Sequence, residues 1–386
     1  MTRVLFVTNG HGEAAIADRI SLELRGFLPG AQIDHLALVG DGNAQTMHDV
    51  GPRKPMPSGG LIAMGNVRNL TMDLRAGLLG LTAAQARFLR RARGEYDVAI
   101  AVGDVFALAM TLLARTRTIF VGSAKSVRVA PYGRVEETFL RRAAACYVRD
   151  GETAGALHAH GVAAEAANAI VDLFETPDDA AAQTTVEGFS PALALFPGSR
   201  ESAYDDAAFL LEVTRDLAME SGSLGAVISI ARGLDKDRFA QTAASAGWQV
   251  RASENAAIPF TLSRDGREIV RAWRGDLGPL LKRVTLVLGQ AGTANEAAAA
   301  AGVPVVAFES DRDRKARWYR QRQRGLLGDA LAVFPAQLDQ AVLGVRAILN
   351  DPGRAAHMGE IGRARMGRAG GARRIAQSIV AVAQPA

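Results

Sequence analysis

VLGQAGTANEAAAAAGVPVVAF, residues 287–308, reads as a complete strand–turn–helix–strand unit. VLG ends an apolar run of strand length, and Gln290-Ala291-Gly292-Thr293 turns the chain on small residues. ANEAAAAAG has helical composition and stops at Gly302, and VPVVAF is the next apolar run. Strands joined through a helix run parallel and are buried on both faces, so they show no polar alternation. The small turn residues admit a ligand close to the backbone. Thr293 and the free N–H groups beside it suit a phosphate at a helix N-terminus. Glu296, about one turn in, is placed to accept two ribose hydroxyls. It serves equally as a first-turn acid favoured by the helix dipole.

Reading outward, the same unit recurs. RVLFVT, QIDHLALV, DVAIAVG, RTIFVG and ACYVR form one series of buried strands separated by helical stretches. ALALFPGS, GAVISIA, GWQVRA, VTLVLG, VPVVAFE and ALAVFP form a second, within which AIPFTLSRDGREIVRAW alternates around Asp265-Gly266 as a hairpin. VDLFETPDDAAAQTTVEGFSP (171–191), polar and bounded by prolines, reads as a linker. The expected fold is α/β, with two Rossmann-like open parallel-sheet domains facing a cleft, residues 1–172 and 190–368. The amphipathic tail from about residue 370 to 386 suits packing on either domain.

Bulk properties fit this division. A chain of 386 residues is long for one core, and its 48% hydrophobic content suffices for two. One cysteine, Cys146, excludes an internal disulfide framework and fits a reducing cytoplasm. The first residues lack the long apolar region of a signal peptide, and no run of about 18 apolar residues suggests a membrane span. A formal charge of +5 favours an anionic partner without choosing its class.

In open α/β sheets ligands sit at the carboxyl ends of strands. At one such end FPGSRES (196–202) offers a turn at Pro197-Gly198, a hydroxyl at Ser199 and a forked cation at Arg200 before a helix. Alone this also describes a helix cap with a surface arginine, but it occupies the place corresponding to the Gly292–Glu296 loop. In the first domain Asp104 follows a buried strand, where it is either an N-cap or a general base. NGHGE (9–13) ends the first strand. Asn9, Gly10, Gly12 and Glu13 form a glycine loop with room for a sugar or phosphate near the backbone, and His11, with an ordinary pKa near 6.5, is the second candidate base. G-x-G is present there, but the third glycine of a dinucleotide fingerprint is missing.

FPGSRES and GQAGTANEAAAAAGVPVVAF resemble the lipid-A-disaccharide synthase family, glycosyltransferases of the GT-B fold, and NGHGE is similar to the synthase-related group. The resemblance implies a C-terminal domain that binds a UDP-sugar as substrate and an N-terminal domain that binds a lipid-linked or hydrophobic acceptor. It also implies inversion, with no metal and no cofactor. Carried over, Ser199, Arg200, Gly292 and Thr293 hold the diphosphate and Glu296 the ribose. Gln290 and Arg274 are further donor-side candidates, and Asp104 matches the family's aspartate after the same strand. Ala14 stands where related sequences place an acid, Ala291 replaces a serine and Asn295 a leucine. GSAKSVRVAPYG (122–133) lacks the family's aromatic segment, which leaves the acceptor open.

Two basic stretches remain. In residues 59–95, Val67, Leu70, Leu74, Leu78 and Leu81 follow helical spacing ahead of Arg87, Arg90, Arg91 and Arg93. This suits either a core helix with a basic end or peripheral contact with an anionic membrane. DRDRKARWYRQRQRG (311–325) interleaves aspartates with arginines, which disfavours nucleic acid and favours a solvated helix. Asp311 and Asp313 have a metal-binding spacing but fall in that basic region. The alternatives to a transferase are a UDP-N-acetylglucosamine 2-epimerase and a non-catalytic nucleotide-sugar binder.

Overall fold

Strand β1 (Arg3–Thr8) is the pivot of the first sheet: Thr8 aligns with Ala37 of β2 (Gln32–Ala37) on one side and Val102 of β4 (Val98–Gly103) on the other. With β3 (His48–Asp49), β5 (Arg117–Gly122), β6 (Ala145–Val148) and β7 (Glu165–Ala166), the order is β3-β2-β1-β4-β5-β6-β7, all parallel. The order reverses between β1 and β4, which makes that junction the switch point of the sheet. The computed structural model describes residues 1–40, 42, 44–54, 75, 77–310 and 314–384, with the side chains of residues 11 and 314–316 outside that description.

The second sheet runs β10-β11-β12-β9-β8-β13-β14-β15. Its members are β8 (Ala192–Phe196), β9 (Gly225–Ser229), β10 (Gln249–Ala252), β11 (Phe260–Arg264), β12 (Arg267–Trp273), β13 (Leu286–Gly289), β14 (Val305–Glu309) and β15 (Leu331–Pro335). The hairpin forms as read, with Asp265 at φ 51° and Gly266 at φ 78°, the paired left-handed residues of a tight turn. The switch point lies between β8 and β13, where Phe196 aligns with Gly289. Every residue of β4, β8 and β13 is buried, as their unbroken apolar sequences require. The two-residue strands β3 and β7 are too short to leave a periodic signal.

The chain divides into Met1–Leu173 with Arg368–Ala386, and Phe174–Gly367. The boundary between the units, Leu173/Phe174, falls inside the stretch expected as a linker, 171–191, which is structured from Asp178 onward. Helix Ala180–Val186 starts on the Asp179 carboxylate, which accepts from Ala181 N at 2.8 Å. Arg271 donates to the carbonyls of Thr184, Thr185 and Glu187 at 2.9, 3.2 and 2.8 Å, and Arg283 clamps Asp178. Polar composition there reflects helix ends satisfied by distant arginines, a partnership that local sequence does not show.

The helix Leu78–Arg91 turns Leu89 and Gln85 inward, and Gln85 donates to the carbonyls of Ala37, Leu38 and Pro52. Arg87, Arg90, Arg91 and Arg93 are exposed. Val67, Leu70 and Leu74 lie outside the described residues, among which no helix is long and apolar enough to cross a membrane.

The terminal helix Gly371–Ala383 packs against helix His11–Phe27 in the first unit. Its amino end sits on buried Asp172, whose carboxylate accepts from Gly370 N and, at 2.7 Å, from Ala372 N. An anion at a helix N-terminus satisfies orphan N–H groups and the dipole together. Asp172→Ala is expected to lower unfolding free energy by about 1–2 kcal/mol, measured by denaturant titration. Unchanged stability would show that the helix is held by apolar packing alone.

Candidate functional site

The loops that follow β8 and β13 lie side by side because those strands pair. After β8, Gly198 takes φ 118° and the helix Ala203–Glu220 begins with Ser202 at its N-cap position. Ser199 is therefore not the cap of that helix. The Ser199 and Arg200 side chains are exposed and make no hydrogen bond or ion pair with any described residue. A serine hydroxyl and a guanidinium left unspent at a switch point suit an anionic ligand.

After β13 the turn is held by the helix Arg314–Leu327. Arg320 donates to the carbonyls of Gly289 and Gln290, at 3.5 and 3.2 Å. Gln323 Nε2 donates to the carbonyls of Ala291 and Gly292, at 3.0 and 3.2 Å. Buried Asn295 adds a bond to the Gly289 carbonyl at 3.0 Å. Four successive carbonyls are thus engaged, while the amides of Ala291, Gly292, Thr293 and Ala294 donate to no described residue. Free amides at a helix N-terminus are the usual cradle of a phosphate. Thr293 is the first residue of helix Thr293–Ala301, exposed and likewise unbonded through its hydroxyl.

The basic helix is therefore not simply solvated: Arg320 is 4% and Gln323 5% exposed. Sequence reading missed this because charge dominates the segment. The signal it carried was the three-residue spacing of Arg320 and Gln323, which places both on one face. Tyr319 joins them, its hydroxyl lying against Gly292. Burial foremost, then the Glu296 carboxylate, push the Tyr319 phenol up, while Arg200, Arg320 and Arg322 pull it down. The residues of both loops thus share one electrostatic environment.

Gln290 and Arg274 are struts. The Gln290 amide bridges Phe308 N and O of β14 and accepts from Arg320 at 2.8 Å. Arg274 donates to the carbonyls of Arg232 and Leu234 at 3.0 and 2.9 Å. Among the described residues no group of three or more His, Cys, Asp or Glu side chains is placed to hold a metal ion, and Asp311 and Asp313 lie outside them.

In the first unit the expected glycine loop is shorter than its sequence suggests. The turn is Asn9-Gly10, with His11, Gly12 and Glu13 forming the first turn of helix His11–Phe27, and Gly10 extended at φ −178°. The reason is visible at the neighbouring strand end: Asn9 and Glu13 lie on Gly103, which has φ 132° and no room for a methyl group. A glutamate three residues into the helix folds back over Gly10, so the glycines make space for Glu13. Thr8 just ahead is fixed by a buried relay, Thr8 Oγ1 to His35 Nε2 at 2.9 Å and His35 Nδ1 to Asp49 at 2.7 Å. With Nδ1–H donating to the carboxylate, the neutral ring offers Nε2 as the acceptor for the threonine hydroxyl.

Asp104 caps helix Val105–Thr111: Oδ1 accepts from Phe106 N and Ala107 N at 3.0 and 3.1 Å, and Oδ2 has no bond to a described residue. Half-buried, it sits one residue past the switch point. Next along this edge, Ser123 N donates to the Gly103 carbonyl at 3.3 Å. Asn9 Oδ1, Ser123 Oγ and the Tyr132 hydroxyl are buried without a partner among the described residues. Burial above all raises the Tyr132 phenol, and the nearby Asp104 charge adds to it.

No protein-family model and no curated protein matches this sequence. Solved structures do match over nearly its full length. A Listeria monocytogenes protein assigned as a UDP-N-acetylglucosamine 2-epimerase superposes with TM-score 0.62 at 14% identity, covering 98% of this chain and 95% of that one. The Neisseria meningitidis UDP-GlcNAc 2-epimerase bound to UDP-GlcNAc gives 0.57 at 11%, covering 98% and 100%. Spinosyn forosaminyltransferase SpnP gives 0.58 at 14%, covering 99% and 100%. The chain has the GT-B fold. In GT-B terms the first unit is the amino-terminal domain and the second the carboxy-terminal domain, each with its polar residues at its own switch point.

The Gly292–Tyr319 contact gives a direct check of how the turn after β13 is held. Gly292→Ala drives a methyl into the Tyr319 hydroxyl, while the ring carbon that carries it lies 3.5 Å away, at ordinary contact distance. The substitution should cost about 1–3 kcal/mol, and adding Tyr319→Phe should restore most of it. Thermal unfolding of the two single variants and the double variant reads the coupling, and strict additivity would refute the contact.

Proposed function

We propose that the protein is a glycosyltransferase that takes a sugar from a UDP-sugar and inverts the anomeric carbon. The observation that carries the reading is the pair of loops at the β8/β13 switch point. Ser199, Arg200 and Thr293 lie on these two adjoining loops, with four amides that donate to no described residue. On this reading the amides and Arg200 take the diphosphate, Glu296 the ribose hydroxyls, and Gln290 and Arg274 hold the surrounding backbone. Asp104 Oδ2 removes the acceptor hydroxyl proton, the oxygen bonds to the anomeric carbon, and the carbon–phosphate oxygen bond breaks. UDP leaves with its added charge stabilised by the donor-side cation and amides. His11 is the second candidate base. Asn9 and Glu13 belong to the acceptor side, where Ser123 and Tyr132 join them as hydroxyl partners.

UDP should raise the melting temperature more than other nucleoside diphosphates do. Glu296→Ala should weaken UDP binding, and Asp104→Asn should abolish transfer while UDP binding survives. Full transfer by the Asp104 variant would remove its role as base. The epimerase reading is favoured by the fold likeness to proteins named for that activity. Incubation with UDP-N-acetylglucosamine alone separates the two: isomerised product without any acceptor establishes the epimerase.

The acceptor is proposed to be lipid-linked, as for a lipid-A-disaccharide synthase-like enzyme, with exposed Arg87, Arg90, Arg91 and Arg93 meeting anionic headgroups at the membrane surface. Co-sedimentation with anionic vesicles should fall as salt rises. Failure to sediment at low salt would point to a soluble acceptor.

A further inference from the structure

Arg320 carries its charge into the interior with no counter-ion among the described residues. It is 4% exposed, and its bonds go to uncharged oxygens: the carbonyls of Gly289 and Gln290 and, at 2.8 Å each, the side-chain amides of Gln323 and Gln290. Its Nε is buried and has no partner among the described residues. It forms no ion pair with any described residue, and the acids that act on it, Asp206 and Glu309, do so from beyond pairing distance. A buried charge is costly unless an opposite charge completes it, and neutral oxygens compensate only in part. A neutral amide would brace part of the turn; the guanidinium adds a permanent charge behind the four amides.

We propose that Arg320 is the fixed positive charge of the donor site, completed by the diphosphate of a nucleotide seated on the Ala291–Ala294 amides. The inference rests on the donor-site reading above and adds a residue on a helix that reading did not include. Arg320 acts in two ways at once. It braces the turn through two carbonyls, and its charge favours an anion over a neutral ligand of the same shape. These separate experimentally, because uridine shares the nucleoside with UDP and lacks the charge.

Binding of UDP, uridine and inorganic pyrophosphate to the full-length protein should be measured by calorimetry for wild type, Arg320→Gln and Arg320→Lys. In the Gln variant UDP and pyrophosphate should weaken about tenfold or more while uridine stays within about twofold. The Lys variant, which keeps the charge and loses the fork, should retain the preference for UDP over uridine. Equal weakening of UDP and uridine in either variant would reduce Arg320 to a brace and overturn the proposal, as would unchanged UDP affinity in the Gln variant. The Lys variant decides alone if the Gln variant does not fold. Wild-type protein that binds neither UDP nor pyrophosphate would remove the donor-site reading itself, and the inference with it.

Discussion

Four carbonyl oxygens in succession, Gly289 to Gly292, are held by one helix, and the character of the second unit's switch point follows from that arrangement. A peptide turn has as many donors as acceptors. When side chains spend the acceptors, the donors remain as a surplus, and the Arg320 guanidinium adds its charge behind them. Gly292 is required because the helix brings a phenol against it. Asn295, a buried polar residue beneath a glycine, is required because it shares the Gly289 carbonyl with Arg320. Neither residue can be understood from the turn alone.

The first unit uses a different construction at the corresponding place. There the turn between β1 and the His11–Phe27 helix is two residues long, and side chains fill the space above it. Asn9 and Glu13 cover Gly103, and the His35–Asp49 pair anchors Thr8 from below. The result is an edge rich in side-chain oxygens, which accept hydrogen bonds and do not attract phosphate. The two switch points thus differ in construction, one built on backbone amides and the other on side-chain oxygens.

The sheets were legible because fully buried parallel strands leave unbroken apolar runs, as in VAIAVG and ALALF. The hairpin was legible because Asp-Gly is the local signature of its turn. Ser199, Arg200 and Thr293 could be placed at strand ends by the same logic. Arg320 and Gln323 could not, since a helix rich in arginine reads as solvated unless its partner turn is known. The extent of the helix at His11 was hidden for a related reason. Glycines at 10 and 12 suggest a loop, whereas Gly10 makes room for a glutamate and Gly12 simply continues the helix. In each case the deciding contact joins residues distant in sequence or depends on a neighbouring strand.

The return of the final helix to the first unit has a consequence for biosynthesis. The second unit is continuous in the chain, but the first resumes at Arg368 after all of the second has been made. During translation the face of the His11–Phe27 helix that receives Gly371–Ala383 stays open, and Asp172 has no helix to cap, until that helix has been made. The second unit can therefore mature vectorially, while the first waits for its final helix with an apolar face uncovered throughout the synthesis of the second.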